Sequence, residues 1–343
     1  MANRHLPHDL AQMQSIPLEG KIIMTQERIR QWYEHWEGQV YVSFSGGKDS
    51  TVLKHIVDGM YDDVPALFVN TGLEYPEIQK FAMSQKNVVT VRPEMRFDEV
   101  LKTYGYPVPS KEQAAFVHEY RTTNSEKLRD IRLNGNKWGR GKISQRWLPL
   151  IDAPFRVSDM CCDIMKKKPA KQYEKETGRY PIIGTMACES AQRKSNWAMY
   201  GCNAFNKKRP TSQPLSFWTD QDILHYIKRF NVPYCPVYGD IVVDTPEIED
   251  AAEGQINAID YMGCYETGDK LKTTKCDRTG CTFCMFGCHL EKAPNRFQML
   301  KETHPRQYEY CIGGGEMVDG KWQPNKKGLG LGKVLDYIGV DYE

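Results

Sequence analysis

Short apolar runs rich in β-branched residues alternate along the chain with stretches whose apolar residues recur at helical spacing. Residues 22–37 have this helical spacing, and the run 39–45 that follows is typical of a buried strand. A second helical stretch separates that strand from another at 65–69, and further strands are predicted at 88–91 and 180–184. This βαβ order predicts a doubly wound α/β domain with a parallel sheet.

The composition narrows the class of protein. Of the 343 residues, 40% are hydrophobic and 26% are charged, which excludes a disordered or collagen-like chain. No apolar run approaches the roughly 18 residues of a spanning helix, and residues 1–20 lack an apolar signal core. We therefore expect a cytoplasmic protein with no membrane partner. The net charge of +2 does not by itself indicate a nucleic-acid binder.

Changes in composition predict three regions. We expect an N-terminal helical arm at 1–37, a sheet domain at 38–235 with an insertion at about 96–160, and a C-terminal cysteine-rich module at 236–343. Within the insertion, residues 127–146 contain seven Lys or Arg and one acidic residue, with tryptophans nearby. Such a segment indicates a surface for phosphates or nucleic acid, or else a solvated loop folded over the active site.

The segment after the first strand predicts a phosphate site. Two glycines, a lysine and several hydroxyl residues stand between the strand and a helix predicted over 49–60, in the order Ser45, Gly46, Gly47, Lys48, Asp49, Ser50 and Thr51. Glycines let backbone amides approach an anion, and a helix N-terminus adds unpaired N–H groups. Lys48 would supply charge, and the hydroxyls would donate to phosphate oxygens. The spacing differs from the P-loop of common kinases and GTPases.

The cysteines are numerous and clustered. Eleven cysteines, an odd number without an export signal, argue against a disulfide framework. Two of them are adjacent, and four more fall within thirteen residues: Cys161 with Cys162, then Cys276, Cys281, Cys284 and Cys288. Clustered thiols in a reducing compartment indicate metal or redox chemistry. Thiolates suit an iron–sulfur cluster and tetrahedral zinc alike, so the spacing leaves both open.

Six segments in a fixed order resemble the phosphoadenosine phosphosulfate (PAPS) reductase branch of the PP-loop adenine-nucleotide α-hydrolase superfamily. They are the loop SGGKDS at 45–50 and the segments 70–77, 161–169, 184–193, 217–223 and 280–284. The cysteine pattern also resembles that of DNA-phosphorothioation enzymes. The resemblance covers about residues 38–290 and implies the PP-loop fold, with catalysis involving Lys48 and Asp49.

The resemblance also implies ligands and cofactors. ATP or a sulfonucleotide (adenylyl sulfate or PAPS) would contact residues 45–51 together with Thr71, Gly72 and Glu74, and Mg²⁺ is a further candidate cofactor. The substrate anion would contact Lys166, Ser190 and Arg193. A 4Fe–4S cluster would be held by Cys161, Cys162, Cys281 and Cys284, with Cys276 and Cys288 as alternate ligands.

The chain departs from the reductase pattern in two ways. Met165 and Met186 stand where the reductases carry arginine, which weakens a bidentate anion clamp. The reductases also end in a Glu-Cys-Gly-Leu-His segment, which this chain lacks. Cys311, the last thiol, is the candidate stand-in for the attacking cysteine, and an ordinary structural role is the alternative.

Three functions remain open from the sequence. The first is an enzyme of sulfonucleotide reduction, in which a thiolate attacks sulfur and a thiol donor releases sulfite. The second is ATP-dependent thiolation of a nucleic acid through the basic insertion, with pyrophosphate release and a sulfur donor. The third is an idle nucleotide-binding partner in a complex. An oligomer is compatible with each.

Overall fold

The computed structural model describes residues 5–244 and 269–343, so part of the predicted C-terminal module lies outside the described residues. The chain divides into two compact units. The first comprises Met1–Val69, Tyr75–Val91 and Gln172–Thr279, and the second comprises Asn70–Glu74, Arg92–Lys171 and Gly280–Glu343. In the described ranges no helix combines the length and the apolar character needed to cross a membrane.

The described residues form thirteen α-helices. They are α1 Pro7–Gln14, α2 Leu18–His35, α3 Lys48–Asp58, α4 Pro76–Ser84, α5 Phe97–Thr103, α6 Lys111–Thr122, α7 Glu126–Asn134, α8 Lys168–Thr177, α9 Ala191–Tyr200, α10 Asp220–Phe230, α11 Arg296–Thr303, α12 Pro305–Ile312 and α13 Leu331–Ile338. Short 3₁₀ helices and one π turn complete the helical structure of the described residues: Gln145–Ile151, Asp163–Lys167 (the π turn), Ala187–Glu189, Pro236–Tyr238 and Cys288–Leu290.

The first unit contains a six-stranded sheet. Its strands are β1 Val40–Phe44, β2 Ala66–Val69, β3 Val88–Val91, β4 Tyr180–Ile183, β5 Asn203–Ala204 and β6 Thr211–Ser212. Their order is β3-β2-β1-β4-β6-β5, and every pair is parallel except β5 with β6. Two antiparallel pairs lie outside this sheet: β7 Ile241–Val243 with β8 Leu271–Thr273, and β9 Glu316–Val318 with β10 Lys321–Gln323. The predicted parallel α/β sheet is confirmed.

The apolar runs of the sequence form the core of the first unit. Val42 on β1 and Ile182 on β4 are fully buried, as is Val52 on α3. The indole of Trp218 is also buried there, and its N–H donates to the Thr25 hydroxyl on α2 at 2.9 Å. This packing surrounds the carboxyl end of β1, where the chain continues into α3.

The second unit joins the insertion to the C-terminal residues. Tyr106 is fully buried, and its hydroxyl donates to the Leu329 carbonyl at 2.9 Å. The Tyr337 hydroxyl on α13 donates to the Pro149 carbonyl at 2.9 Å. Helix α7, which begins the basic part of the insertion, contributes no buried residue. Most of its charged side chains face solvent, whereas Arg132 packs over the Phe116 ring and pairs with Glu119.

Candidate functional site

The loop between β1 and α3 has a backbone that only glycine adopts easily. Gly46 has φ +75°, and a Cβ added there would come within 3.0 Å of Ile78 Cγ2 and 3.2 Å of Ala82 Cβ. Gly47 is the N-cap of α3, so the helix begins at Lys48. The loop therefore presents the first amides of α3 at the carboxyl end of a parallel strand, where α/β proteins form their ligand clefts.

Hydroxyl groups fix the shape of this loop. Ser50 Oγ donates to the Gly47 carbonyl at 2.9 Å and accepts from Ser45 N at 3.2 Å. The Thr51 hydroxyl donates to the same Gly47 carbonyl at 2.9 Å, and the hydroxyl oxygens of Ser45 and Ser50 lie 3.0 Å apart. These contacts give the predicted phosphate donors an internal role in the loop. Their contact with a nucleotide stays a prediction.

Lys48 is buried beside two carboxylates. Its Nζ lies 3.2 Å from Asp49 Oδ1 and 3.0 Å from Asp220 Oδ1, while its backbone N–H donates to the Tyr238 hydroxyl at 3.2 Å. Burial lowers the pKa of Lys48, but the charges of Asp49 and Asp220 outweigh that effect, so the pKa is raised. Burial also raises the pKa of Asp49, and Lys48 offsets this only in part. Lys48 is thus a cation held in place before any phosphate binds.

A second charged group in the first unit surrounds Glu189. This carboxylate is buried and pairs with both Arg193 and Arg278. It also accepts a hydrogen bond from Met186 N at 3.0 Å. Ser190, predicted to contact the substrate anion, is the N-cap of α9 and accepts from Arg193 N at 3.2 Å. Ser190 and Arg193 therefore lie together.

Two cysteines of the first unit lie near these charges. Cys188 is exposed as a residue, but its sulfur is partly covered, and this partial burial together with the charge of Asp220 raises its pKa. Cys276, predicted as an alternate metal ligand, donates through its sulfur to the Arg278 carbonyl at 2.9 Å. Burial raises the pKa of Cys276. It belongs to the first unit, whereas the other predicted ligands belong to the second.

In the second unit four thiols line one cavity. The cavity has a volume of about 20 Å³. Its lining consists of Cys161, Cys162, Cys281 and Cys284 with Leu73, Phe97, Pro107, Met165 and Lys166. The walls between the sulfurs are largely apolar, apart from the lysine. The structure thus brings together the four cysteines that the family resemblance implied.

The thiols of this cavity are polarised by each other and by lysines. The Cys161 thiol donates to Cys162 across 3.9 Å, which lowers the pKa of Cys162 and raises that of Cys161. The charge of Lys111 further lowers the pKa of Cys162. Burial raises the pKa of Cys281, while Lys166 acts in the opposite direction. Thiolates, not thiols, bind metals, so the lysines favour ligation.

This donor set fits an iron–sulfur cluster. Each thiolate of a cluster binds a different iron, so its ligands surround a cavity instead of converging on a point. Among residues 5–244 and 269–343, no three ligating side chains converge closely enough to hold a single metal ion. Four thiols around an apolar cavity have the chemistry of cluster ligands, which surround a cavity, and not that of ligands around a single metal ion. The identity of the ligands stays a prediction.

Residues predicted for the nucleotide also lie in the second unit. Thr71 donates to Glu74 through both its hydroxyl, at 2.7 Å, and its N–H, at 3.0 Å. The Leu73 carbonyl accepts from Thr282 N at 2.7 Å, which joins this turn to the Cys281 segment. Gly72 has φ +73°, as the turn requires. Lys166 likewise lines the cysteine cavity, and Cys281 and Glu74 raise its pKa against the effect of burial.

The two remaining predicted cysteines are buried. Cys288 is 1% exposed, and burial raises its pKa to about 11. Cys311 on α12 is fully buried, and burial raises the pKa of its thiol well above the usual value. A nucleophile must reach its substrate as a thiolate. Cys311 as the attacking thiol is therefore a prediction that its described surroundings do not favour.

Sequence reasoning missed several members of these groups. Asp220 and Glu189 lie within segments that carried the resemblance, but no role was predicted for them. Lys111, Tyr238 and Arg278 lie in segments without a local pattern. Only the fold places Tyr238 against Lys48, Arg278 against Glu189, and Lys111 against Cys162.

The parallel sheet, the loop and the thiol cavity define a protein of the PP-loop class. Residues 39–132 and 116–285 match the model of the phosphoadenosine phosphosulfate reductase domain, which covers more than half of the chain. The chain belongs to this family.

Similar proteins are distant in sequence. The chain is 26% identical over 215 residues to an uncharacterized protein of Methanocaldococcus jannaschii, covering 61% of this chain but only 35% of that protein. It is 20% identical over 213 residues to a phosphoadenosine 5′-phosphosulfate reductase of Alkalilimnicola ehrlichii, covering 62% of this chain and 70% of the reductase. A crystal structure of the PAPS reductase from Candida auris in a phosphate complex has 16% identity and a TM-score of 0.36, covering 69% of this chain and 90% of that one.

Proposed function

We propose that this chain is an enzyme of sulfur transfer that binds an adenine nucleotide at residues 45–51 and an iron–sulfur cluster in the cysteine cavity. The observation that carries this proposal is Lys48, a buried cation at the first position of α3 and next to a glycine-rich turn. Membership of the PAPS reductase domain family supports the same conclusion. The nucleotide would be ATP, adenylyl sulfate or PAPS.

The charges around Lys48 suit an exchange on nucleotide binding. In the described residues its partners are Asp49 and Asp220, at 3.2 and 3.0 Å. A nucleotide phosphate would replace these carboxylates as the partner of Lys48. The carboxylates could then bind Mg²⁺ that accompanies the nucleotide, because hard cations prefer oxygen ligands. Each charge would then keep a partner.

The cysteine cavity would hold the cluster through Cys161, Cys162, Cys281 and Cys284. Such a cluster supplies electron transfer, at a potential set partly by charges and hydrogen bonds near its sulfurs. Lys111 and Lys166 would offset the negative charge of the thiolates. The apolar side chains of the lining would exclude water from it.

Between the candidate reactions, we favour ATP activation. The nucleophilic oxygen of an acceptor would form a bond to the α-phosphorus, the bond from that phosphorus to the bridging oxygen would break, and pyrophosphate would leave. A sulfur donor would then displace AMP from the acceptor. Sulfite formation through Cys311 needs this thiol to be accessible, and its burial speaks against that route. An idle nucleotide-binding partner is disfavoured by Lys48, Asp49 and Ser50.

The basic insertion supports a nucleic-acid acceptor. Trp138 is 71% exposed, with Lys137 Nζ 4.2 Å from the centre of its ring. Exposed aromatic rings among cations are typical of surfaces that stack bases and contact phosphates. A solvated loop remains the competing interpretation of this segment.

Product analysis tests these alternatives. Anaerobically purified protein would be incubated with ATP, adenylyl sulfate or PAPS and a dithiol, and assayed for pyrophosphate, AMP and sulfite. We expect pyrophosphate from ATP once the acceptor is present, and slow or absent sulfite. Rapid sulfite formation that is abolished by Cys311→Ser would overturn this preference and restore the reductase reaction. Protein that binds none of the three nucleotides would overturn the proposal as a whole.

A further inference from the structure

Glu189 is the centre of a charged group that lies outside the loop at residues 45–51. Its side chain is 6% exposed, and it pairs with Arg193 through one carboxylate oxygen and with Arg278 through the other. One carboxylate neutralises only one of these two guanidinium groups. The group formed by Glu189, Arg193 and Arg278 therefore keeps a net positive charge.

The charge of Arg278 acts on Asp49, in the loop at residues 45–51, and on Cys188. Burial raises the pKa of Asp49 and of Cys188, and Arg278 acts on both in the opposite direction. Asp49 is the second residue of α3 and a partner of Lys48. Opposite charges have such an effect at a separation of a few Å. The Arg278 side chain therefore lies on the same side of the first unit as Asp49 and the start of α3.

A second contact ties the segment of Arg278 to the loop. The next residue, Thr279, lies 2.8 Å from the Tyr238 hydroxyl through its own Oγ1, and that same hydroxyl accepts from Lys48 N at 3.2 Å. Gly47 packs against both side chains, since a Cβ added to it would come within 3.3 Å of the Tyr238 hydroxyl and 3.5 Å of Thr279 Oγ1. The backbone next to Arg278 is therefore held against the start of α3.

The guanidinium of Arg278 has capacity left for a ligand. Its side chain is 54% exposed, and in the described parts of the chain Glu189 is the carboxylate that pairs with it. A guanidinium carries five N–H donors in a rigid fork, which suits planar contact with phosphate. Glu189 occupies one side of that fork and holds it in orientation.

We propose that Arg278 is a phosphate-binding residue of the nucleotide site, donating to non-bridging phosphate oxygens of the ligand on residues 45–51. This inference rests on the proposed function. It also accounts for the methionine at 186, which is fully buried in the core of the first unit and cannot present a cation. Arg278 supplies the missing charge from a different segment.

Binding measurements with and without phosphates test this role. Calorimetry with ATP and ligand-observed NMR with adenosine would compare wild type, Arg278→Gln, Arg278→Lys and Lys275→Gln. Lys275 is an exposed cation on the same segment and serves as the matched control. We expect Arg278→Gln to weaken ATP binding on the order of tenfold, as for a lost charge-assisted contact, and to leave adenosine unchanged. Arg278→Lys should lose less of the ATP affinity, and Lys275→Gln should keep the wild-type affinity.

Three outcomes would contradict the inference. Unchanged ATP affinity in Arg278→Gln would remove the residue from the site. An equal loss for ATP and adenosine would mark a structural role, and an equal loss in Lys275→Gln would mark a general effect of charge. If Arg278→Gln does not fold, Arg278→Lys carries the same ATP-against-adenosine comparison. Wild-type protein that binds neither ATP nor a sulfonucleotide would overturn the proposed function as well, which separates the two failures.

Discussion

The loop at residues 45–51 and the cysteine cavity are built in opposite ways. The loop is made of consecutive residues whose own hydroxyls bond within it, such as Ser50 and Thr51 to the Gly47 carbonyl. The cavity joins Cys161 and Cys162 to thiols about 120 residues further along the chain. A local site depends on backbone conformation at a few positions, whereas the cavity depends on the packing of a whole unit. Substitutions at the two sites should therefore have different effects on ligand binding and on stability.

The largest effect is expected in the cysteine cavity. Anaerobically purified wild-type protein should be brown and contain close to four iron atoms per chain, the count of a 4Fe–4S cluster. Cys281→Ser should retain only a small fraction of this iron, because a ligand is lost. Iron and sulfide assays with an absorption spectrum measure this. Cys188→Ser, at an exposed cysteine of the first unit, is the control and should keep the iron. Colourless wild-type protein with about one zinc per chain would show that the cysteines hold structural zinc instead of a cluster.

The next effect concerns Lys48. Lys48→Ala should weaken nucleotide binding by about 2 kcal/mol, roughly 30-fold, because a charge-assisted contact with phosphate is lost. Calorimetric titration with ATP and adenylyl sulfate measures it. Lys54→Ala removes another buried lysine of α3, one that pairs with Asp58, and should leave the affinity unchanged. An affinity retained in Lys48→Ala would exclude the loop from the site.

A smaller effect is expected on stability at Gly46. Gly46→Ala should lower the free energy of unfolding by about 2 kcal/mol, since φ is +75° and the new Cβ meets Ile78. Gly178→Ala is the matched control: its φ is +70°, but nothing lies within 4 Å of the added Cβ. It should cost about 1 kcal/mol, from backbone strain alone. Equal losses in urea unfolding would show that the packing against α4 contributes nothing.

The last prediction involves no loss of folding. Iodoacetamide under native conditions should modify Cys188 well before Cys311, because Cys188 is exposed while burial raises the pKa of the Cys311 thiol. Peptide mass spectrometry over a time course gives the two rates. Early modification of Cys311 would reopen the sulfite-forming reaction. It would also mean that α12 opens readily.

The sequence predicted the sheet better than the site. The strands at Val40–Phe44, Ala66–Val69, Val88–Val91 and Tyr180–Ile183 follow the predicted runs closely, because buried strands need continuous apolar residues. The domain boundaries were harder to derive. The predicted insertion was assigned to the sheet domain, while contacts group Arg92–Lys171 with Gly280–Glu343. Composition does not reveal which distant segments pack together.

The sequence by itself determined the glycine-rich loop between β1 and α3, because glycine spacing, a strand and a helix start are local properties of adjacent residues. It also determined the four cavity cysteines, although only through their resemblance to a family. The tertiary structure decided which charges surround these groups: Asp220 beside Lys48, Lys111 beside Cys162, and Arg278 beside Glu189. Coulomb interactions depend on distance in space and not along the chain, so only folding brings such partners within reach.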